Sequence, residues 1–150
     1  MDALIASYLF NGPTHLDDID YPTTHVTEHL WTAQHVNGKK FIGRPVYVLT
    51  SSSTFSTAEE FAYDLKALRR ATVVGETTGG GAHVVKPHGI DAHFFIRVLC
   101  ARFVNPITKT DWEGTGVVPG VKVPAAEALA VAQKLAAREV SRIQSQHPSP

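Results

Sequence analysis

Residues Val46–Ala82 read VYVLTSSSTFSTAEEFAYDLKALRRATVVGETTGGGA. The β-branched and aromatic run Val46–Thr50 predicts a buried strand. Ser51, Ser52, Ser53 and Ser56 then crowd a tight turn. A helix follows: Ala58, Phe61, Ala62, Leu65 and Leu68 share one face at helical spacing, which leaves Glu59, Glu60, Asp64 and Lys66 expected on the solvent side. Early acids and the late Arg69 and Arg70 suit the helix dipole. Ala71–Gly75 reads as the next strand, and Thr77–Ala82 as a glycine loop.

A serine held where a strand turns into a helix has its hydroxyl lifted clear of its own backbone. The helix start offers amide donors to a developing oxyanion, so this is a place for a nucleophile. Ser56 is the candidate. Local pattern offers a second reading, because Ser56-Thr57-Ala58-Glu59 also fits a capping box. The two roles are compatible, since a nucleophile at a helix start also gains from the positive end of the dipole.

Working outward, Ala3–Phe10 is expected to end an amphipathic helix and Asn11–Thr24 to be a polar loop. Thr23–Trp31 reads as extended, with an Asn37-Gly38 turn between it and Phe41-Ile42. Phe94–Phe103 is a longer strand, Asn105–Gly120 a loop, and Pro124 opens a final helix with Leu129, Leu135 and Val140 among its apolar positions. One domain unit over residues 1–143 and a frayed tail over 144–150 are expected. Strands alternating with helices favour an α/β layer with largely parallel pairing.

Of the 150 residues, 43% are hydrophobic and 19% charged, enough for a packed core. The net charge is zero, which argues against nucleic acid as a partner. No apolar run is long enough to span a membrane. The start, MDALIASYLF, carries Asp2 and no basic stretch, and does not read as a signal peptide. The single cysteine, Cys100, lies in the Phe94–Phe103 strand and reads as a buried structural thiol.

The glycine loop lacks the Gly-Lys-Ser/Thr of a phosphate loop. Gly79, Gly80 and Gly81 instead admit close approach by another backbone, either a substrate strand or a neighbouring element. His83, His88 and His93 recur every five residues, a spacing that fits neither one helix face nor one strand face, so no metal is expected there. His83 directly follows the glycine loop and could approach the serine turn. Glu113, in Asp111-Trp112-Glu113-Gly114-Thr115-Gly116-Val117, could orient a base or bind substrate; a solvated loop acid is the plainer reading.

The segments TFSTAEEFAYDLKALRRATVVGETTGGGAH and NPITKTDWEGTGVVPGVKVP resemble the S41 family of serine peptidases. That family includes C-terminal-processing (tail-specific) proteases, tricorn core proteases and retinoid-binding IRBP-like modules. The resemblance implies a crotonase/ClpP-like ββα core, incomplete at its N-terminus, with residues 1–143 as the C-terminal portion of a catalytic domain. It implies Ser56 as nucleophile and the Thr57 amide as one oxyanion donor. In the tail-specific branch a lysine serves as base; Gly81 stands at that position here. The tricorn-like branch uses a histidine and a glutamate, and Glu113 matches that glutamate. Its histidine is expected from a segment upstream of this chain, as is the second oxyanion amide, so the chain alone could be inactive. A peptide or unfolded protein is the expected substrate and no cofactor is implied. Expected partners are further copies or an upstream part of the same parent chain, in a secreted or periplasmic setting. The alternative is a non-catalytic IRBP-like module that binds an apolar small molecule, and a structural pseudoenzyme fragment is a third reading.

Overall fold

The computed structural model describes residues 2–146. Its centre is a parallel three-stranded sheet. The strand β3 (Tyr47–Thr50) pairs in register with β4 (Thr72–Gly75), and β4 pairs on its other side with the short β7 (Val121–Lys122). Helix α2 (Thr57–Ala67) connects β3 to β4, and helix α3 (Ala125–Gln146) follows β7. Successive strand side chains alternate between faces. Val73 accordingly packs with Ala62 of α2, Ala82, Trp112 and Val117, whereas Val74 packs with Ala128 and Ala132 of α3. The two helices thus cover opposite faces of the sheet.

The second sheet is antiparallel, in the order β2-β1-β6-β5, made of β1 (His15–Tyr21), β2 (Val26–Trp31), β5 (Val84–Gly89) and β6 (Phe95–Val104). Parallel pairing is therefore confined to the central sheet, against the expectation of a largely parallel layer. The difference begins with β1, which lies inside the stretch read as a polar loop. HLDDIDY is acidic and lacks a clean apolar alternation, so its strand character comes from pairing with β2 on one side and β6 on the other. No strand forms at Phe41-Ile42. That segment is tied down by Arg70, whose guanidinium donates to the carbonyls of Leu9 (2.7 Å), Phe41 (2.6 Å) and Arg44 (2.9 Å).

The helix α1 (Asp2–Ser7) stops short of Phe10. In α3, the large apolar residues Leu129 and Val140 are exposed; the packed face is Ala128, Ala132, Val131 and Leu135, where small side chains bring the helix close to the sheet. The helix runs on to Gln146, and the remainder of the expected tail, 147–150, lies outside the described residues. Cys100 is only half-buried, with its thiol donating to the Val84 carbonyl.

The largest revision concerns α2. Glu59, Glu60 and Asp64, expected to face solvent, are all buried, and only Lys66 of that set is exposed. Periodicity assigns carboxylates to water because an unpartnered buried charge is costly. Glu59 and Asp64 have compensating partners inside. Glu59 is surrounded by donors. Asp64 accepts a hydrogen bond from Asn105 Nδ2 (3.0 Å), and that amide also donates to the Leu16 carbonyl (3.1 Å). Burial, with the neighbouring Asp17 and Glu60 charges, pushes the Asp64 carboxyl up to about 9. Burial raises Asp17 and Glu60 to about 7 each. The Asp17 and Asp64 carboxyls interact directly, and Asp17 Oδ2 is buried without another partner.

Candidate active site

Both loops of interest leave the same end of the parallel sheet, the carboxyl ends of β3 and β4, where open α/β sheets place their ligands. Gly75 makes this end tight. Its φ of +136° is reserved for glycine, and a Cβ there would stand 2.0 Å from the Thr50 carbonyl oxygen. Beyond it, Glu76 accepts from the Ser52 N–H (3.0 Å) with one carboxylate oxygen and from the Ala125 N–H (3.0 Å) with the other. One acid therefore holds the serine turn and the start of α3 together, and these amides keep it below the usual glutamate range.

Ser56 is exposed and lies at φ 55°, ψ −128°. Non-glycine residues seldom occupy positive φ, so Ser56 holds a strained backbone at the strand-to-helix turn. Its N–H donates to Glu59 Oε2 (2.9 Å), which is the carboxylate arm of the capping box. Thr57 is the first helical residue, so its N–H has no acceptor within the helix.

Glu59 does much more than cap. Its carboxylate also accepts from the Thr78 hydroxyl, the Gly80 N–H (2.7 Å) and the Gly81 N–H (2.8 Å). Burial alone would raise this carboxyl; the donors from Thr78, Gly81, Gly80 and Ser56 outweigh it and hold Glu59 below its ordinary value. A single ionised side chain thereby joins the serine turn to the glycine loop. The Gly79 N–H adds a direct link to the Thr54 carbonyl (2.9 Å).

Gly79 and Gly81 lie against the ring of Phe55. A Cβ on Gly79 would come within 2.7 Å of that ring, and one on Gly81 within 2.1 Å. Gly80 instead faces the Gly114–Gly116 backbone and accepts the Gly114 N–H (2.9 Å) at its carbonyl. Glu113, in that neighbouring loop, accepts the Ala82 N–H (2.7 Å) and the His83 N–H (2.9 Å) at Oε2. The His83 ring sits beside it, with Nδ1 3.7 Å from Glu113 Oε2 and Nε2 4.0 Å from Asp111 Oδ2. Trp112 anchors this loop; it is 1% exposed and packs against Tyr63 and Phe103. The structure therefore brings Glu113 to His83, and joins Ser56 to both through Glu59 and the glycine loop. His88 lies in β5 and His93 at the hairpin tip beyond it.

The chain matches the model of peptidase family S41 over residues 10–123. It belongs to peptidase family S41. The fold of this S41 chain is similar to that of a photosystem II D1 C-terminal processing protease, at 21% identity and a TM-score of 0.63 over 82% of the chain. It is similar to mature CPAF, at 13% identity and a TM-score of 0.71 over 99% of the chain. It is also similar to a lipoprotein from Streptococcus agalactiae, at 17% identity and a TM-score of 0.63 over 90% of the chain. The S41 chain spans 31%, 42% and 48% of the lengths of these three structures, respectively.

Sequence reasoning passed over four residues that shape this S41 site: Phe55, Glu59, Glu76 and Thr78. Glu59 was visible only as a cap. The signal that could have found it is the glycine loop itself, whose consecutive N–H groups need an acceptor once they are buried.

Proposed function

We propose that the protein is a serine-type peptidase whose nucleophile is Ser56. The observation that carries this reading is the strained, exposed Ser56 at the head of α2, beside the uncommitted Thr57 amide. Ser56 Oγ adds to a peptide carbonyl carbon and its proton passes to a base. The Thr57 N–H faces the resulting oxyanion. The base returns the proton to the leaving amine, and water then hydrolyses the Ser56 ester. Glu113 orients the histidine that acts as base. His83 is the histidine within this chain that stands beside it, and an upstream histidine of the full protein is the other source. A lysine base at position 81 is disfavoured, because the Phe55 ring occupies the space its side chain would need. The substrate is a peptide or an unfolded protein segment laid near Gly79–Gly81.

A fluorophosphonate probe applied to the full-length protein tests this. The expected result is a covalent adduct on Ser56, located by peptide mass spectrometry and lost in Ser56→Ala. Loss of labelling in His83→Ala would assign the base to this chain; retained labelling would assign it upstream. Absence of any adduct on folded protein that binds an apolar small molecule would replace the peptidase with the non-catalytic module.

A further inference from the structure

The hairpin of β1 and β2 carries a second cluster, unrelated to Ser56. In a regular strand, positions 15 and 18 face opposite sides of the sheet. Here the register between β1 and β2 shifts between His15 and Asp17, and the adjacent Leu16 and Asp17 are both buried. The irregularity adds a residue to β1 and turns His15 onto the face of Asp18. Asp18 is paired directly across the ladder with His29. The result is convergence: His15 Nε2 and His29 Nδ1 each lie 2.6 Å from Asp18 Oδ1, and the three atoms are within 4.8 Å of one another.

Two imidazoles and one carboxylate form a donor set suited to zinc and similar first-row cations. Tetrahedral zinc with bonds near 2.0–2.1 Å sets its ligand atoms roughly 3.3 Å apart. The observed 2.6 Å contacts need open by less than about 1 Å, which a small withdrawal of the shared Asp18 carboxylate from both rings, together with rotation of the exposed His29 ring, would supply. His15 is already oriented. Its ring stacks on Trp31, with centroids 4.6 Å apart and planes 8° from parallel, and meets the His29 ring edge-on at 5.6 Å. Among the described residues, no other group of His, Cys, Asp and Glu side chains converges in this way.

We propose that His15, Asp18 and His29 form a binding site for one divalent transition-metal ion, zinc foremost, with water completing the coordination on the exposed side of His29. The ion would staple β1 to β2 across the ladder. This site does not depend on the peptidase reading.

The test uses tag-free, chelator-treated full-length protein, titrated with zinc in a calorimeter and with cobalt(II) in an absorption spectrometer. Expected are one saturable ion per chain, the visible bands of tetrahedral cobalt, and displacement of cobalt by zinc. His15→Ala, Asp18→Asn and His29→Gln should each weaken binding by more than about tenfold, and His88→Ala should leave it unchanged. The melting temperature should rise with zinc in the wild type but not in His29→Gln, an exposed position whose metal-free fold is checked by circular dichroism. Absence of stoichiometric binding would reduce the cluster to a hydrogen-bonded hairpin contact. Binding that survives both His15→Ala and His29→Gln would place the ion elsewhere. Either result overturns the proposal.

Discussion

Replacing Glu59 with glutamine keeps the shape of the side chain and removes its charge. In the native protein, Oε1 accepts from the Thr78 hydroxyl and the Gly80 N–H, and Oε2 from the Gly81 and Ser56 N–H groups. An amide has one accepting oxygen. Whichever way it is turned, its NH2 faces two of those donors, and two charge-assisted bonds are lost. Each such bond is worth about 1.5–3 kcal/mol, so a loss of roughly 3–5 kcal/mol is expected once partial relaxation is allowed. For a domain of this size, each kcal/mol moves the melting temperature by about 2–4 °C, which gives a drop on the order of 10 °C. The assay is a thermal melt followed by circular dichroism at neutral pH, run beside fluorophosphonate labelling. Labelling should fall more steeply than stability, because the serine turn and the glycine loop lose their common tether before the sheet opens. A Glu59→Gln melt within about 2 °C of the wild type would refute the reasoning, as it would mean the four donors find equivalent partners elsewhere.

Ser56→Gly should abolish labelling while raising stability by about 1 kcal/mol, because glycine occupies φ 55° without strain; a destabilised Ser56→Gly in urea unfolding would show that the hydroxyl serves mainly as a cap. Gly81→Ala should destabilise by about 1–3 kcal/mol through collision with the Phe55 ring, and Phe55→Ala in the same chain should recover most of that loss in a double-mutant cycle. Asp17, Glu60 and Asp64 hold protons in the folded state that they would release when unfolded, so the native state binds more protons and stability falls as pH rises from about 5 to about 9. Asp64→Asn should flatten that slope in melts taken across the range. Glu59 has the opposite sign: its contribution is complete above the ordinary glutamate value and is lost as pH falls through its lowered folded value, which shows as a separate acid limb absent from Glu59→Gln.

The central unit was legible because its signals are local. The β-branched run of β3, the helical spacing of Ala62 and Leu65, and the glycines after β4 each identify their element without reference to the rest of the chain. The antiparallel sheet was not, because β1 has an acidic sequence and becomes a strand only through neighbours that arrive ten or eighty residues later in the chain. The burial of Glu59, Glu60 and Asp64 was hidden for a related reason. Helical periodicity sorts residues by polarity, whereas Glu59 and Asp64 are inside through partners contributed by Thr78, Gly80, Gly81 and Asn105, all remote in sequence. Ser56 was singled out from its turn, and the structure places it exposed at the head of α2. Its link to Glu113 runs through main-chain amides, which no side-chain pattern records. The convergence of His15, Asp18 and His29 depends on one irregular step in a strand that sequence did not announce.

Glu59 and Glu113 each accept peptide N–H groups from residues 80–83. Every amino acid except proline carries that handle, so at position 83 the anchorage is indifferent to the side chain displayed, whereas Gly80, at φ +85°, and Gly81, against the Phe55 ring, are held to glycine. Ala82 lies inside and must stay small, but the His83 side chain can be exchanged without loosening the grip. A scaffold fastened in this manner can acquire new preferences for what it touches through single substitutions, while the hardware that steadies the turn of Ser56 stays in place.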